Sequence, residues 1–176
     1  MKRILTLGVA LLLVASMASA QHPDRGGPGG GPNEGPGGHA IVGSDGTIYL
    51  EAVTVDTTNH TSSTKVTAVR TTGTIAWTAT VANAHGFELS GTNLITANST
   101  TASDGTVSTT LTALSTNSGA VAWTRTLAGR AGELRPFSGG TYVFVVVPPA
   151  SSGGTATRSL VAIGNDGSVL WTLSLT

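Results

Sequence analysis

The chain has 176 residues, enough for one domain, and its nine Lys/Arg balance nine Asp/Glu to a formal net charge of zero. That balance removes the electrostatic case for nucleic acid or an anionic membrane surface. The lack of cysteine removes disulfides, thiolate chemistry and cysteine metal sites. Only 10% of the residues are charged, while Thr, Ser, Gly, Val and Ala dominate. β-branched side chains fit a pleated sheet better than a helix, so the composition points to an all-β fold.

Lys2 and Arg3 precede an apolar run over residues 4–15, and Ala18-Ser19-Ala20 has the small-residue form of a cleavage site. Residues 1–20 therefore read as a signal peptide cut after Ala20. The run falls short of the ~20 apolar residues that span a bilayer. No cysteine follows it, which argues against a lipoprotein anchor. The expectation is bacterial export to the periplasm or the cell exterior. Residues 21–39 are rich in glycine and proline with almost nothing apolar to bury, and they read as a disordered linker. His22 and His39, in or beside it, read as parts of a solvated tail.

Residues 40–176 contain one unit written three times. Trp77, Trp123 and Trp171 lie 46 and 48 residues apart. Each follows a glycine by four residues, in Gly73-Thr-Ile-Ala-Trp77, Gly119-Ala-Val-Ala-Trp123 and Gly167-Ser-Val-Leu-Trp171. Ala68, Ala113 and Ala162 mark the preceding strand, and the middle copy has one extra residue before its glycine. Gly46-Thr47, Gly91-Thr92 and Gly140-Thr141 form a second anchor in register. Within each copy the apolar period is 2, which predicts four strands per unit, with blades over about residues 40–81, 86–127 and 133–175. Asn165-Asp166-Gly167 and Ser44-Asp45-Gly46 predict hairpin turns. Long polar loops are expected between the second and third strands, over residues 56–64, 100–105 and 148–155. Four-stranded units of about 40–50 residues are the signature of propeller blades.

The stretch Ala113-Leu-Ser-Thr-Asn-Ser-Gly-Ala-Val-Ala-Trp123 resembles the tryptophan-docking repeat of quinoprotein dehydrogenases and related outer-membrane assembly propellers. Ile41-Val-Gly-Ser-Asp-Gly-Thr-Ile-Tyr49 is similar to the first two strands of such blades, so the resemblance covers the whole of residues 40–176. It implies an all-β fold of three four-stranded antiparallel propeller-type blades, and it is nonspecific for activity. Two departures stand out. The aspartate that the family's repeat carries two places after the alanine is replaced by Arg70, Ser115 and Gly164. The family's rings have seven or eight blades, whereas three are written here, so an open arc, closure into a six-bladed ring by self-association, or a shortened copy of a longer propeller is expected.

The repeated residues Gly73, Trp77, Gly119, Trp123, Gly167 and Trp171 read as structural, because a ring placed identically in every copy serves packing between blades rather than one convergent site. Asp45, Asp104 and Asp166 each precede a glycine, and no loop gathers the six to eight oxygens calcium needs, so a turn role is expected. Glu51, Glu88 and Glu133 form no acid/base pair in sequence. Asn59-His-Thr61 and Asn98-Ser-Thr100 match the glycosylation pattern by chance in a threonine-rich chain. If a binding rim exists, blade topology assigns it to the loops carrying His60, His85, Asp104, Arg130 and Glu133.

No catalytic residue, cofactor site or metal site is read from the sequence. The expected function is a noncatalytic module of the cell envelope that binds a protein partner or itself. Two alternatives come from other classes. Membership of a pyrroloquinoline-quinone-dependent dehydrogenase would require more blades and an acidic ligand cluster. Glycan binding would require aromatic rings outside the repeat register.

Overall fold

A computed structural model describes residues 39–59, 61–149 and 153–175, all of them β-strand, turn or loop. The first sheet consists of β1 (Ala40–Val42), β2 (Ile48–Asp56), β3 (Thr61–Val69) and β4 (Ile75–Ala82). The second consists of β5 (His85–Ser90), β6 (Asn93–Thr101), β7 (Val107–Ser115) and β8 (Val121–Ala128). The third consists of β9 (Arg130–Phe137), β10 (Gly140–Val147), β11 (Thr157–Gly164) and β12 (Val169–Leu175). Each sheet is a four-stranded meander with its strands paired in chain order, and every pairing is antiparallel. The protein is therefore all-β, three propeller-like blades in an open array.

The strands run further than the polar composition of their ends predicts. Val53, Thr54 and Val55 pair with Thr64, Ser63 and Ser62, so the first β2–β3 loop is only residues 57–60. The third blade begins at Arg130 rather than near residue 133, because a bulge between Val143 and Val145 lets Ala131 and Arg130 continue the ladder. The folded part also reaches back to His39, contrary to the tail reading. Its carbonyl accepts the Glu51 N–H at 2.8 Å, and its ring meets Phe87 edge-on at 5.1 Å.

Cross-strand pairing defines which positions correspond between blades. Ala68, Ala113 and Ala162 lie opposite Trp77, Trp123 and Trp171. In every blade a bulge follows at once, inserting Ala76, Ala122 or Leu170 before the tryptophan. On their other side the alanines pair with Tyr49, Ile95 and Tyr142. This register overturns the second anchor read from the sequence. Gly46 lies in a longer loop, Gly91 opens a two-residue hairpin connection, and Gly140 is the first residue of β10. Their even spacing is a coincidence of loop lengths.

The middle blade is buried on both faces. Leu94 and Leu114 pack with Tyr49, Val66, Ala68 and Trp77 of the first blade. Ile95, Leu111 and Ala113 pack with Val143, Val145, Val161 and Ile163 of the third. Alternation along β6 and β7 sends successive side chains to opposite neighbours, which makes the blade the wall between two apolar layers.

Candidate functional site

Each blade has two unlike faces. One carries the tryptophan, and the other carries the positions that receive the preceding blade's tryptophan face. Trp77 lies over the hairpin of the second blade, where a Cβ on Gly119 would come within 2.5 Å of the indole, and its Nε1–H donates to the Thr116 carbonyl at 2.8 Å. Trp123 repeats the contact one blade on. A Cβ on Gly167 would come within 2.7 Å of it, and its Nε1–H donates to the Asn165 carbonyl at 2.8 Å. Asn93 Nδ2 also donates to that carbonyl at 2.7 Å, and Arg125 Nε donates to the Gly167 carbonyl at 2.7 Å. The docking glycines have φ of +71° and +81°, so their conformation and their lack of a side chain are used together.

The chain ends on the two unused halves of this contact. Trp171 is 44% exposed, against 8% for Trp77, and no atom lies within 4 Å of the place a Gly73 Cβ would take. Tyr142 meets Trp171 at 5.6 Å and 42°, almost the geometry of Tyr49 on Trp77 at 5.9 Å and 41°. The uncovered tryptophan face thus holds the arrangement of a docked one. Phe137 stacks on Tyr142 at 4.4 Å and extends the same surface.

A second repeated device joins successive blades and was not legible as a motif. Thr64 Oγ1–H donates to the Ala84 carbonyl at 3.0 Å, and Thr109 Oγ1–H donates to the Gly129 carbonyl at 2.8 Å while accepting the Ala131 N–H at 2.8 Å. Both threonines are fully buried. Each stands four residues before its blade's alanine, a spacing that could have identified them; Arg158 holds that place in the third blade.

The aspartates before glycines act in turns. In four loops the N–H of the first residue bonds the carbonyl of the fifth at 2.8–2.9 Å, for the pairs Gly43/Thr47, Arg70/Thr74, Ala102/Thr106 and Gly164/Ser168. The fourth residue is glycine each time, with φ between +78° and +83°. In the Asn165-Asp166-Gly167 turn the positive φ falls on Gly167, which is the arrangement of a longer hairpin closed by a left-handed glycine. Asp45, Asp104 and Asp166 accept the N–H two residues on, from Thr47, Thr106 and Ser168. These bonds hold the Asp45 and Asp104 carboxyls below the ordinary value, and for Asp166 the Ser168 hydroxyl is the largest influence. The middle blade's hairpin takes the inserted residue as a wider turn, with Gly119 N bonding the Ser115 carbonyl at 2.8 Å.

The rim expected from the sequence is only partly assembled. Asp104 sits in the β6–β7 loop, and Gly129, next to Arg130, bonds the Val107 carbonyl at 2.8 Å at the end of that loop, so these two belong to one rim. Glu133 does not join them. It lies inside β9, an exposed ion pair with Arg135, because the strand begins earlier than expected. His85 opens β5 with its backbone opposite Ala97, and its side chain, like the whole of His60, lies outside the described residues. On the same rim a cleft of about 620 Å³ opens between the first two blades, lined by Asp56, Thr57, Asn83, Asn98, Ser99 and Thr100 among others. Asn83 shapes it from the left-handed region, φ +50°, with its Oδ1 accepting the Ser62 N–H at 2.8 Å. Asp56 also accepts from Thr58 N and Asn59, and the Asn59 side-chain amide chiefly lowers its pKa. Among the described residues, no group of three or more His, Asp or Glu is placed to hold a metal ion.

No protein-family model matches the chain, and no curated protein matches it either.

Proposed function

We propose that the chain is an exported, noncatalytic β-propeller-repeat module of the cell envelope that meets a protein partner through the outer faces of its end blades. The observation that carries this reading is the apolar surface left uncovered there. On the first blade Val42, Ile48, Leu50 and Ile75 are 37–63% exposed, and on the third Trp171, Leu173 and Leu175 are 39–53% exposed. Apolar surface gathered on a face in this way marks an interaction site rather than ordinary scatter. The repeat resembles the tryptophan-docking repeat of quinoprotein propellers, and here Trp77, Gly119, Trp123 and Gly167 are committed to packing blade on blade. Export is supported by the basic, apolar and small-residue order of residues 1–20.

The test is made in cells producing the whole chain, with a photoreactive phenylalanine in place of Leu50 or Leu173. The expected result is a chain recovered from the envelope fraction with Gln21 at its N-terminus and crosslinked to protein from both positions. A chain retained in the cytoplasm, or one giving no protein adduct from either position, would overturn the reading.

A further inference from the structure

We infer that the partner of these end faces is a second copy of the chain, docked head to tail so that Trp171 of each copy lies on the Gly73 turn of the other. The inference rests on the proposed role of the outer faces and names their occupant. Its warrant is that the chain already makes this contact twice. Trp77 on Gly119 and Trp123 on Gly167 use one geometry, and the chain carries one further ring, Trp171, and one further turn at the same hairpin place of its blade, between β3 and β4, at Gly73.

The turn is suited to receive the ring. Gly73 has φ +78°, beside +71° and +81° at the occupied sockets, and it is exposed where Gly167 is buried. Its loop is closed by the same pair of backbone bonds as the Gly167 loop, Gly73 N to the Arg70 carbonyl and Arg70 N to the Thr74 carbonyl. The carbonyl corresponding to Asn165, two residues before the glycine, is that of Thr71. It is the acceptor assigned to the Trp171 Nε1–H.

The surrounding faces match as well. Blades two and three present to their predecessors the buried pairs Leu94/Thr96 and Thr141/Val143, and the corresponding residues of the first blade, Ile48 and Leu50, are 37% and 43% exposed. Opposite them, the tryptophan face of the third blade is apolar at Tyr142, Phe144, Leu160, Leu173 and Leu175. The corresponding places in the covered faces of the first two blades include Glu51, Ala79 and Arg125. Two copies joined this way supply six blades, within the ~4–8 of closed propellers, and a two-fold head-to-tail contact closes on itself.

The test uses the purified full chain. Light scattering should give twice the chain mass at micromolar concentration. Trp171→Ala and Gly73→Ala should each weaken association on the order of 30-fold or more, the scale of a central hot spot. Gly105→Ala, at φ +83° with nothing within 4 Å of its Cβ, is the control and should leave the pair intact. An equimolar mixture of the Trp171→Ala and Gly73→Ala chains regains one intact contact, ring from one chain and turn from the other, and should recover a two-chain species. A monomeric parent, open-ended polymers, or a mixture that stays dissociated would overturn the inference. If the crosslinks from Leu173 then carry a different protein, the inference falls while the proposed role of the faces stands; if neither Leu50 nor Leu173 gives a protein adduct, both fall.

Discussion

Gly105 and Gly119, with φ of +83° and +71°, sit in unlike surroundings, which separates backbone strain from packing. An alanine at φ near +80° costs about 1–2 kcal/mol wherever it is placed. At Gly105 its Cβ meets nothing within 4 Å, whereas at Gly119 it would stand 2.5 Å from the Trp77 ring, which can yield only by lifting off its socket. Gly105→Ala is therefore expected to cost about 1 kcal/mol and Gly119→Ala about 2–4 kcal/mol, strain plus overpacking. Urea unfolding of the two variants checks this, and equal costs would mean that the ring does not bear on the turn. The aspartates supply a second test. Asp45, Asp104 and Asp166 have folded-state pKa values below the ordinary 3.8, so the folded chain binds fewer protons than the unfolded one as pH falls. Their contribution is present above that value and is lost as pH drops through and below it. Stability should fall on acidification below about pH 4. An Asp104→Asn variant, whose amide oxygen can still accept the Thr106 N–H, should flatten the fall, as denaturant midpoints measured from pH 6 to pH 2 would show.

Between blades, two kinds of tie differ in how far they can be read from the chain. The tryptophans were legible because three identical placements after a glycine cannot each be a separate binding site. Trp77 and Trp123 pack on the next blade, and Trp171 is left uncovered. Which glycine receives which ring was not legible, since the glycine four residues upstream shares the tryptophan's own hairpin and the socket lies in the next blade. The glycine–threonine anchor misled for a related reason: loops of different length can keep a residue type in step while the strands behind it shift. The rim suffered likewise, because Glu133 enters β9 only through a bulge that strand alternation does not announce. The buried threonines left a signal in their fixed distance from the alanine, but in a chain this rich in threonine the residue type carries little information. Their roles make an ordered prediction. Thr109→Val removes one donor and one acceptor at a buried junction, Thr64→Val removes one donor, and Arg158 at the corresponding place makes neither bond. Thr109→Val should cost about 2 kcal/mol or more and Thr64→Val about 1 kcal/mol, since each leaves buried backbone polar groups unpaired. Arg158→Thr should be near neutral. Equilibrium unfolding gives the three values, and the ranking is the test.

At the level of the assembly, an open array of three blades leaves two apolar faces and several strand edges in water, a liability for aggregation that closure would remove. If two chains close into one ring, their stability is linked to concentration, because the associated state exists only for folded chains. The linkage is about 2.7 kcal/mol at 100 times the dissociation constant. The midpoint of thermal unfolding should therefore climb as the chain is concentrated from nanomolar to micromolar, and it should stay level in Trp171→Ala. Trp77→Ala would behave differently. Trp77 is 8% exposed within the chain itself, so its loss should cost about 3–5 kcal/mol at every concentration. Charge adds an independent check on which faces meet. By strand alternation the receiving face carries Lys65 and Asp56, and the tryptophan face of the third blade carries Arg158 and Arg135, all exposed and outside the apolar set. Joining the faces thus rests on burial of the apolar set, and the few exposed charges at its margins leave screening by salt little to weaken. Raising ionic strength from about 0.05 M to 0.5 M, which shortens the Debye length well below 10 Å, should leave association unchanged or strengthened. Dissociation by salt would mean that some other, charged surface joins the copies.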